Sequence, residues 1–324
     1  MKKLYALIVF VALSSSVFAQ QDPLFTQYMF NYSYYNPAVS GTEGVTKINA
    51  AYRNQWTGYV PTGTSVTGLN PQTQFVGISA PILTKRMGLG FHVVNDQLGT
   101  STRLDFLLSA SYQIAIGNNK LSLGLRSGFY SRGLDLTNLI FANPNDPVAN
   151  DEANTDVRPE IGFGVYFRAP TFYAGVAFNH LATPNPIFSI GETQLDPLST
   201  HGYAFAGYEF EILNSWIITP SVLLKTDLNT YSVDVGVLAN NDDKLYAGVT
   251  WRQAEAVNLM VGYNILGDTK RKNKDWLRLS YSFDLVVTET QAKELTSHEI
   301  MLSYILPTPE NKGRVAPRTP RFSN

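Results

Sequence analysis

The chain has 324 residues, with 25 basic and 26 acidic side chains, 16% charged residues, 12% aromatics and no cysteine. Such balanced charge gives no general field to steer it to nucleic acid. The missing cysteine excludes a disulfide scaffold, thiol catalysis and cysteine metal sites. Charge falls well below the roughly 25% of soluble domains. With 18 Tyr, 18 Phe and no long apolar run past the first residues, the composition points to an outer-membrane β-barrel.

Residues 1–19 read as a secretory signal: Lys2 and Lys3, then Leu4 to Leu13, then Ser16-Val17-Phe18-Ala19 as a small-residue cleavage site. That apolar stretch is too short for the roughly 20 residues of a spanning helix. No Cys follows the cleavage site, so the expectation is not a lipoprotein. Next come Asp22-Pro23-Leu24-Phe25-Thr26-Gln27-Tyr28 and Asn36-Pro37-Ala38-Val39-Ser40-Gly41. Pro23 and Pro37 remove amide donors and push their predecessors toward extended geometry, so the block fits neither a helix nor a strand. Its six aromatics between Phe25 and Tyr35 need a surface to bury them.

From there the chain alternates at period two. Leu104, Phe106, Leu108, Ala110 and Tyr112 oppose Arg103, Asp105, Ser109 and Ser111, and Leu277, Leu279, Tyr281, Phe283 and Leu285 oppose Arg278, Ser280, Ser282 and Asp284. Fourteen such segments are expected, near 45–54, 72–81, 86–95, 101–116, 119–132, 159–168, 171–181, 201–211, 215–225, 230–239, 244–252, 256–265, 275–285 and 298–306. Most have the 9–12 residues of a tilted membrane strand rather than the 5–6 typical of soluble sheets. The four longest connections, 55–71, 133–158, 182–200 and 286–297, all follow odd-numbered segments, although three odd connections are short. Even connections such as Gly117-Asn118 are tight. That sorting fits a barrel with periplasmic termini and long external loops.

The expected organisation is a signal peptide (1–19), an N-terminal periplasmic or luminal segment (20–44), a transmembrane antiparallel β-barrel of about 14 strands (45–306) and a basic, Pro-rich periplasmic tail (307–324). The N-terminal block is expected at the periplasmic mouth, folding into or across the lumen as a partial plug. Phe25, Tyr28, Tyr32 and Tyr35 would pack on inward side chains, with Asp22, Gln27, Asn36 and Pro37 as further plug or partner contacts. Arg53, Arg103, Asp105, Arg126, Glu160, Lys225, Asp234, Arg252, Arg278, Asp284 and Glu299 are candidates for a mixed-sign luminal network. Arg314, Arg318 and Arg321 make the tail a candidate docking peptide.

Catalytic signals are sparse, and no enzyme activity, cofactor or metal is expected. No pair of the four histidines is close enough in sequence to suggest a metal site. His298-Glu299 lacks a second histidine at i+4, where Leu302 stands. Gly88-Leu89-Gly90 and Gly162-Phe163-Gly164 lie inside strands, where glycine marks curvature or close luminal packing rather than a phosphate cradle. The acidic stretch 143–156 has oxygen ligands, but its spacing matches no calcium loop.

Together the Asp22–Tyr28 and Asn36–Gly41 blocks, Arg53-Asn54-Gln55-Trp56, Asn95-Asp96-Gln97-Leu98-Gly99, Trp251-Arg252, Tyr281-Ser282-Phe283-Asp284 and Ser297-His298-Glu299-Ile300 resemble the PorP/SprF family of Bacteroidota outer-membrane proteins. The resemblance implies a part in type IX secretion and gliding motility. It further implies periplasmic and outer-membrane secretion components as partners, and help in exporting or anchoring a large adhesin with a type IX C-terminal signal. The chain departs from many outer-membrane barrels by running past Tyr304-Ile305-Leu306 into the tail, so the assembly signal is expected within His298–Leu306. Outer-membrane lipid is a further expected partner, and nucleic acid is not. A solute channel and a purely structural envelope barrel are the alternative functions.

Overall fold

The computed structural model describes residues 22–59, 69–82, 86–134, 154–182, 188–190, 193–195, 199–212, 215–266, 276–288 and 293–306. The signal (1–19), the tail with Arg314, Arg318 and Arg321, and nearly all of stretch 143–156 lie outside these residues. Among them no helix is long and apolar enough to cross a membrane.

Fourteen antiparallel strands form the wall: β1 (Thr46–Asn54), β2 (Gln72–Ile82), β3 (Met87–Leu98), β4 (Ser101–Ile116), β5 (Asn119–Leu134), β6 (Asn154–Arg168) and β7 (Phe172–Asn179). They continue as β8 (His201–Tyr208, resuming at Phe210–Ile212), β9 (Trp216–Thr226), β10 (Tyr231–Asn241), β11 (Leu245–Arg252), β12 (Ala256–Leu266), β13 (Trp276–Val286) and β14 (Thr296–Leu306). Each pairs with its neighbours in sequence, and β1 pairs with β14 from Thr46↔Leu306 to Asn54↔His298, so the sheet closes without an edge. Closure satisfies every strand's ladder, as a lipid environment requires.

Strand alternation sorts the side chains. Leu108, Leu125 and Leu259 are 61%, 69% and 58% exposed on the outer face, the pattern of residues meant for acyl chains rather than water. Aromatic residues gather near both ends of that face: Phe172, Tyr208, Phe210 and Tyr263 near one rim, and Tyr52, Tyr231 and Trp251 near the other, as interfacial girdles do. The inner face carries the polar set, and all eleven luminal candidates are buried on it.

Several strands run past the expected limits. β3 continues to Leu98 and β6 begins at Asn154, where sequence alone placed the ends at 95 and 159. Asp156 and Pro159 look like loop residues, yet the ladder continues there through Arg132↔Asp156 and Phe129↔Pro159. Hydropathy marks only the stretch inside the membrane, whereas hydrogen bonding carries the sheet beyond it.

Candidate functional site in the lumen

Residues 22–45 lie inside the barrel. Sequence suggested a segment without regular structure, but it makes three single turns: 3-10 turns at Tyr28–Phe30 and Pro37–Val39, and one α-helical turn at Tyr32–Tyr35. Its far end lies at the rim opposite the mouth that the chain termini share. Asp22 sits beside Arg103, near the start of β4, and His180, just past β7; both belong to the rim of the long connections. From there the segment runs the depth of the lumen to enter β1 at Thr46.

The first stretch is held by charge. Glu299 accepts the backbone N–H of Thr26 at 2.7 Å and that of Gln27 at 3.1 Å, and Arg53 pairs with both Glu299 (3.3 Å) and Asp284 (2.7 Å). Arg252 donates to the Phe25 carbonyl at 3.1 Å while it pairs with Asp234 (3.1 Å), which also holds Lys225 at 2.9 Å. Each ion is thus paired with an opposite charge, the condition under which buried charge is tolerated, although Arg53 Nε and Asp284 Oδ1 have no hydrogen-bond partner among the described residues. Further along, Arg126 donates to the carbonyls of Ser33 (3.0 Å) and Tyr34 (2.5 Å). Glu160 does not touch the segment directly; its carboxylate holds His180.

Aromatic packing fills the middle. Phe25 meets Phe75 edge-on at 5.4 Å between centroids, Tyr32 stacks on Phe205 at 4.3 Å, and Tyr35 lies 5.2 Å from Tyr203. Tyr28 shares a 3.0 Å hydrogen bond with Ser221. Arg278 lies over the face of Phe30 at 3.6 Å, a cation–π contact.

Glycines make room for the last stretch. The Asn36 amide donates to the carbonyls of Val165 (2.9 Å) and Val176 (3.2 Å), register partners on β6 and β7. It reaches them only because Gly164 and Gly175 flank the spot; a Cβ on Gly164 would collide with Asn36 Oδ1, and one on Gly175 would come within 2.8 Å of Nδ2. A Cβ on Gly124 would strike the backbone of Pro37 and Ala38. Between segment and short-turn rim a cavity of about 670 Å³ remains, lined in part by Met29, Tyr32, Lys120, Arg168, Glu209 and Asp243.

At the other end, Asp22 Oδ1 pairs with Arg103 (2.6 Å) and His180 Nε2 (3.0 Å), and Tyr203 donates to Oδ2. Burial alone would raise the Asp22 carboxyl, but His180, His201 and Arg103 outweigh it and hold Asp22 well below the usual carboxylate range. Burial likewise opposes charge on His180, yet Asp22 and Glu160 push its pKa up to about 9. The ladder between β7 and β8 pairs Asn179 with His201 and so sets the His180 and His201 rings 5.4 Å apart.

A closed fourteen-stranded barrel with an apolar outer belt and a polar lumen is an outer-membrane protein. A family model for the type IX secretion system membrane protein PorP/SprF matches residues 17–304, and the chain belongs to that family. Among curated proteins no match was found. The fold is similar to that of the Ralstonia pickettii toluene transporter TbuX, with 11% identity over 85% of this chain and 92% of that one and a TM-score of 0.51. It is also similar to the P. putida toluene transporter TodX, with 11% identity over 84% and 92% and a TM-score of 0.51. At such identity the likeness is one of fold alone.

Proposed function

We propose that this type IX secretion membrane protein is a non-enzymatic anchoring barrel that assists export or surface attachment of a large adhesin. The carrying observation is a lumen threaded by residues 22–45, whose backbone is gripped by Glu299, Arg252 and Arg126. A path for free solute has no use for so many buried ions spent on one peptide. In this reading the N-terminal segment closes the lumen, with Asp22, Phe25, Gln27, Tyr28, Asn36 and Pro37 as its fixed points. The long connections meet the adhesin's C-terminal signal domain outside. Arg314, Arg318 and Arg321 dock the tail to a periplasmic secretion component, and the same machinery serves gliding.

The test is affinity capture of the tagged, full-length chain from native membranes, beside planar-bilayer recording of the purified barrel. Expected are co-purification of a cell-surface adhesin with secretion components, and no steady conductance. Capture of neither partner, or a steady open conductance, overturns the reading. Ending the chain at Leu306 should remove the periplasmic partner and keep the adhesin; unchanged capture retires the tail as a docking peptide.

A further inference from the structure

We propose that Asp22, His180 and His201 form a zinc-class metal site that latches the N-terminal segment to the long-loop end of the lumen. One ligand atom from each lies within 4.8 Å of the other two. A tetrahedral zinc with bonds of about 2.0–2.1 Å has ligand-to-ligand edges of roughly 3.3 Å. Asp22 and His180 Nε2 already sit 3.0–3.1 Å apart, so only His201 must close in.

His201 supplies the independent observation. Its ring is 3% exposed, and Nε2 has no hydrogen-bond partner among the described residues. An orphaned buried ring nitrogen costs free energy unless something occupies it. Its Nδ1 faces the Ser199 carbonyl at 2.8 Å. A carbonyl only accepts, so Nδ1 holds the proton and, in the neutral ring, Nε2 carries the lone pair. His180 is braced in the same manner, its Nδ1 2.5 Å from the Glu160 carboxylate while Nε2 points at Asp22. Metal-bound histidines are oriented by such partners, one ring nitrogen fixed by a carbonyl or carboxylate and the other on the ion.

Charge also suits a dication. Asp22, Asp105 and Glu160 touch the cluster or its guanidinium, and Arg103 is the cation paired among them. Two imidazoles with one carboxylate are a ligand set that zinc takes with a fourth position left for water, and one that ferrous iron shares. Binding replaces the proton between His180 and Asp22, so uptake releases it. Asp22 comes from the segment, whereas His180 and His201 bound the 181–200 connection, so the ion ties the segment to an external loop.

The test uses the purified, detergent-folded full chain, stripped with chelator and titrated with Zn²⁺ against a chromophoric competitor, then with Co²⁺ by visible absorption. Expected are one equivalent of tight Zn²⁺, intense tetrahedral Co²⁺ bands, and a rise in unfolding temperature with Zn²⁺. His201→Ala loses no hydrogen bond through Nε2 and should bind Zn²⁺ weaker by more than the roughly 10–100-fold usual for a lost supporting group. His298→Ala, altering a histidine outside the cluster, should bind as the parent does. No stoichiometric Zn²⁺ on the parent chain overturns the proposal, and so does equal affinity in His201→Ala, which would mean an adventitious ion only. If His201→Ala does not fold, the Co²⁺ spectrum of the parent decides: absent or octahedral bands refute the site.

Discussion

Arg53 and Glu299 are register partners across the seam where the first strand meets the last, and their side chains pair at 3.3 Å inside the lumen. The contact that closes the barrel therefore also receives the segment, because the same carboxylate accepts the N–H groups of Thr26 and Gln27. Glu299→Ala leaves two buried amides without an acceptor and removes one partner of Arg53, which keeps Asp284 at 2.7 Å. The expected loss is about 2–5 kcal/mol. Urea unfolding in detergent checks it. An unchanged midpoint would mean the segment takes no stability from the seam.

Room for the segment depends on missing side chains at Gly124 and Gly164. A methyl at Gly124 falls on backbone that cannot step aside, since Asn36 is fixed to both β6 and β7. Gly124→Ala should expel residues 36–41 while the strand ladder persists. Because the chain has no cysteine, Ser33→Cys gives a clean reporter. Maleimide labelling of that cysteine should rise severalfold when Gly124→Ala is added, and a measurable conductance should appear in planar bilayers. Labelling that stays at the parent rate would show the segment held elsewhere.

Period-two alternation carried most of the fold, because a strand residue's side is fixed by parity alone. It put Arg103, Arg126, Glu160 and Glu299 inside without knowledge of any partner. Partners are another matter. Asp22 meets His180 across 158 positions and Thr26 meets Glu299 across 273, and no local pattern encodes such pairings. The aromatic density of 22–45 signalled burial, and the in-strand glycines signalled close approach. Neither revealed that the segment's first residue reaches the long-loop end. The expected neighbouring strands at 171–181 and 201–211 already brought His180 and His201 close. Only the register, His201 opposite Asn179, sets their rings side by side, and register cannot be read from periodicity.

Outward parity is tested at Leu125, which is 69% exposed near the middle of β5. In water such a leucine tolerates lysine at little cost. At the bilayer midplane Leu125→Lys should cost about 2–4 kcal/mol. Folding yield into lipid vesicles reads this directly, with urea unfolding from the same vesicles giving the magnitude. A cost near zero would place β5 outside the hydrocarbon.

Asp234 joins Lys225 at 2.9 Å and Arg252 at 3.1 Å, so two buried cations share one carboxylate, and Glu255 pairs with Arg252 as well. Removing it differs from removing either cation. Lys225→Met leaves Asp234 paired with Arg252 and adds apolar bulk of similar length, so its cost should stay under about 1.5 kcal/mol. Asp234→Asn leaves Lys225 without the ion pair it makes among the described residues, while Arg252 keeps Glu255 at 3.4 Å and the Phe25 carbonyl. Its cost should approach about 3–5 kcal/mol. Arg252 would then shift, its hold on Phe25 would weaken, and labelling of the Ser33→Cys reporter should increase. Equal unfolding midpoints for the two variants would mean that these ions sit in water rather than in a dry lumen, and that the segment is not what keeps them dry.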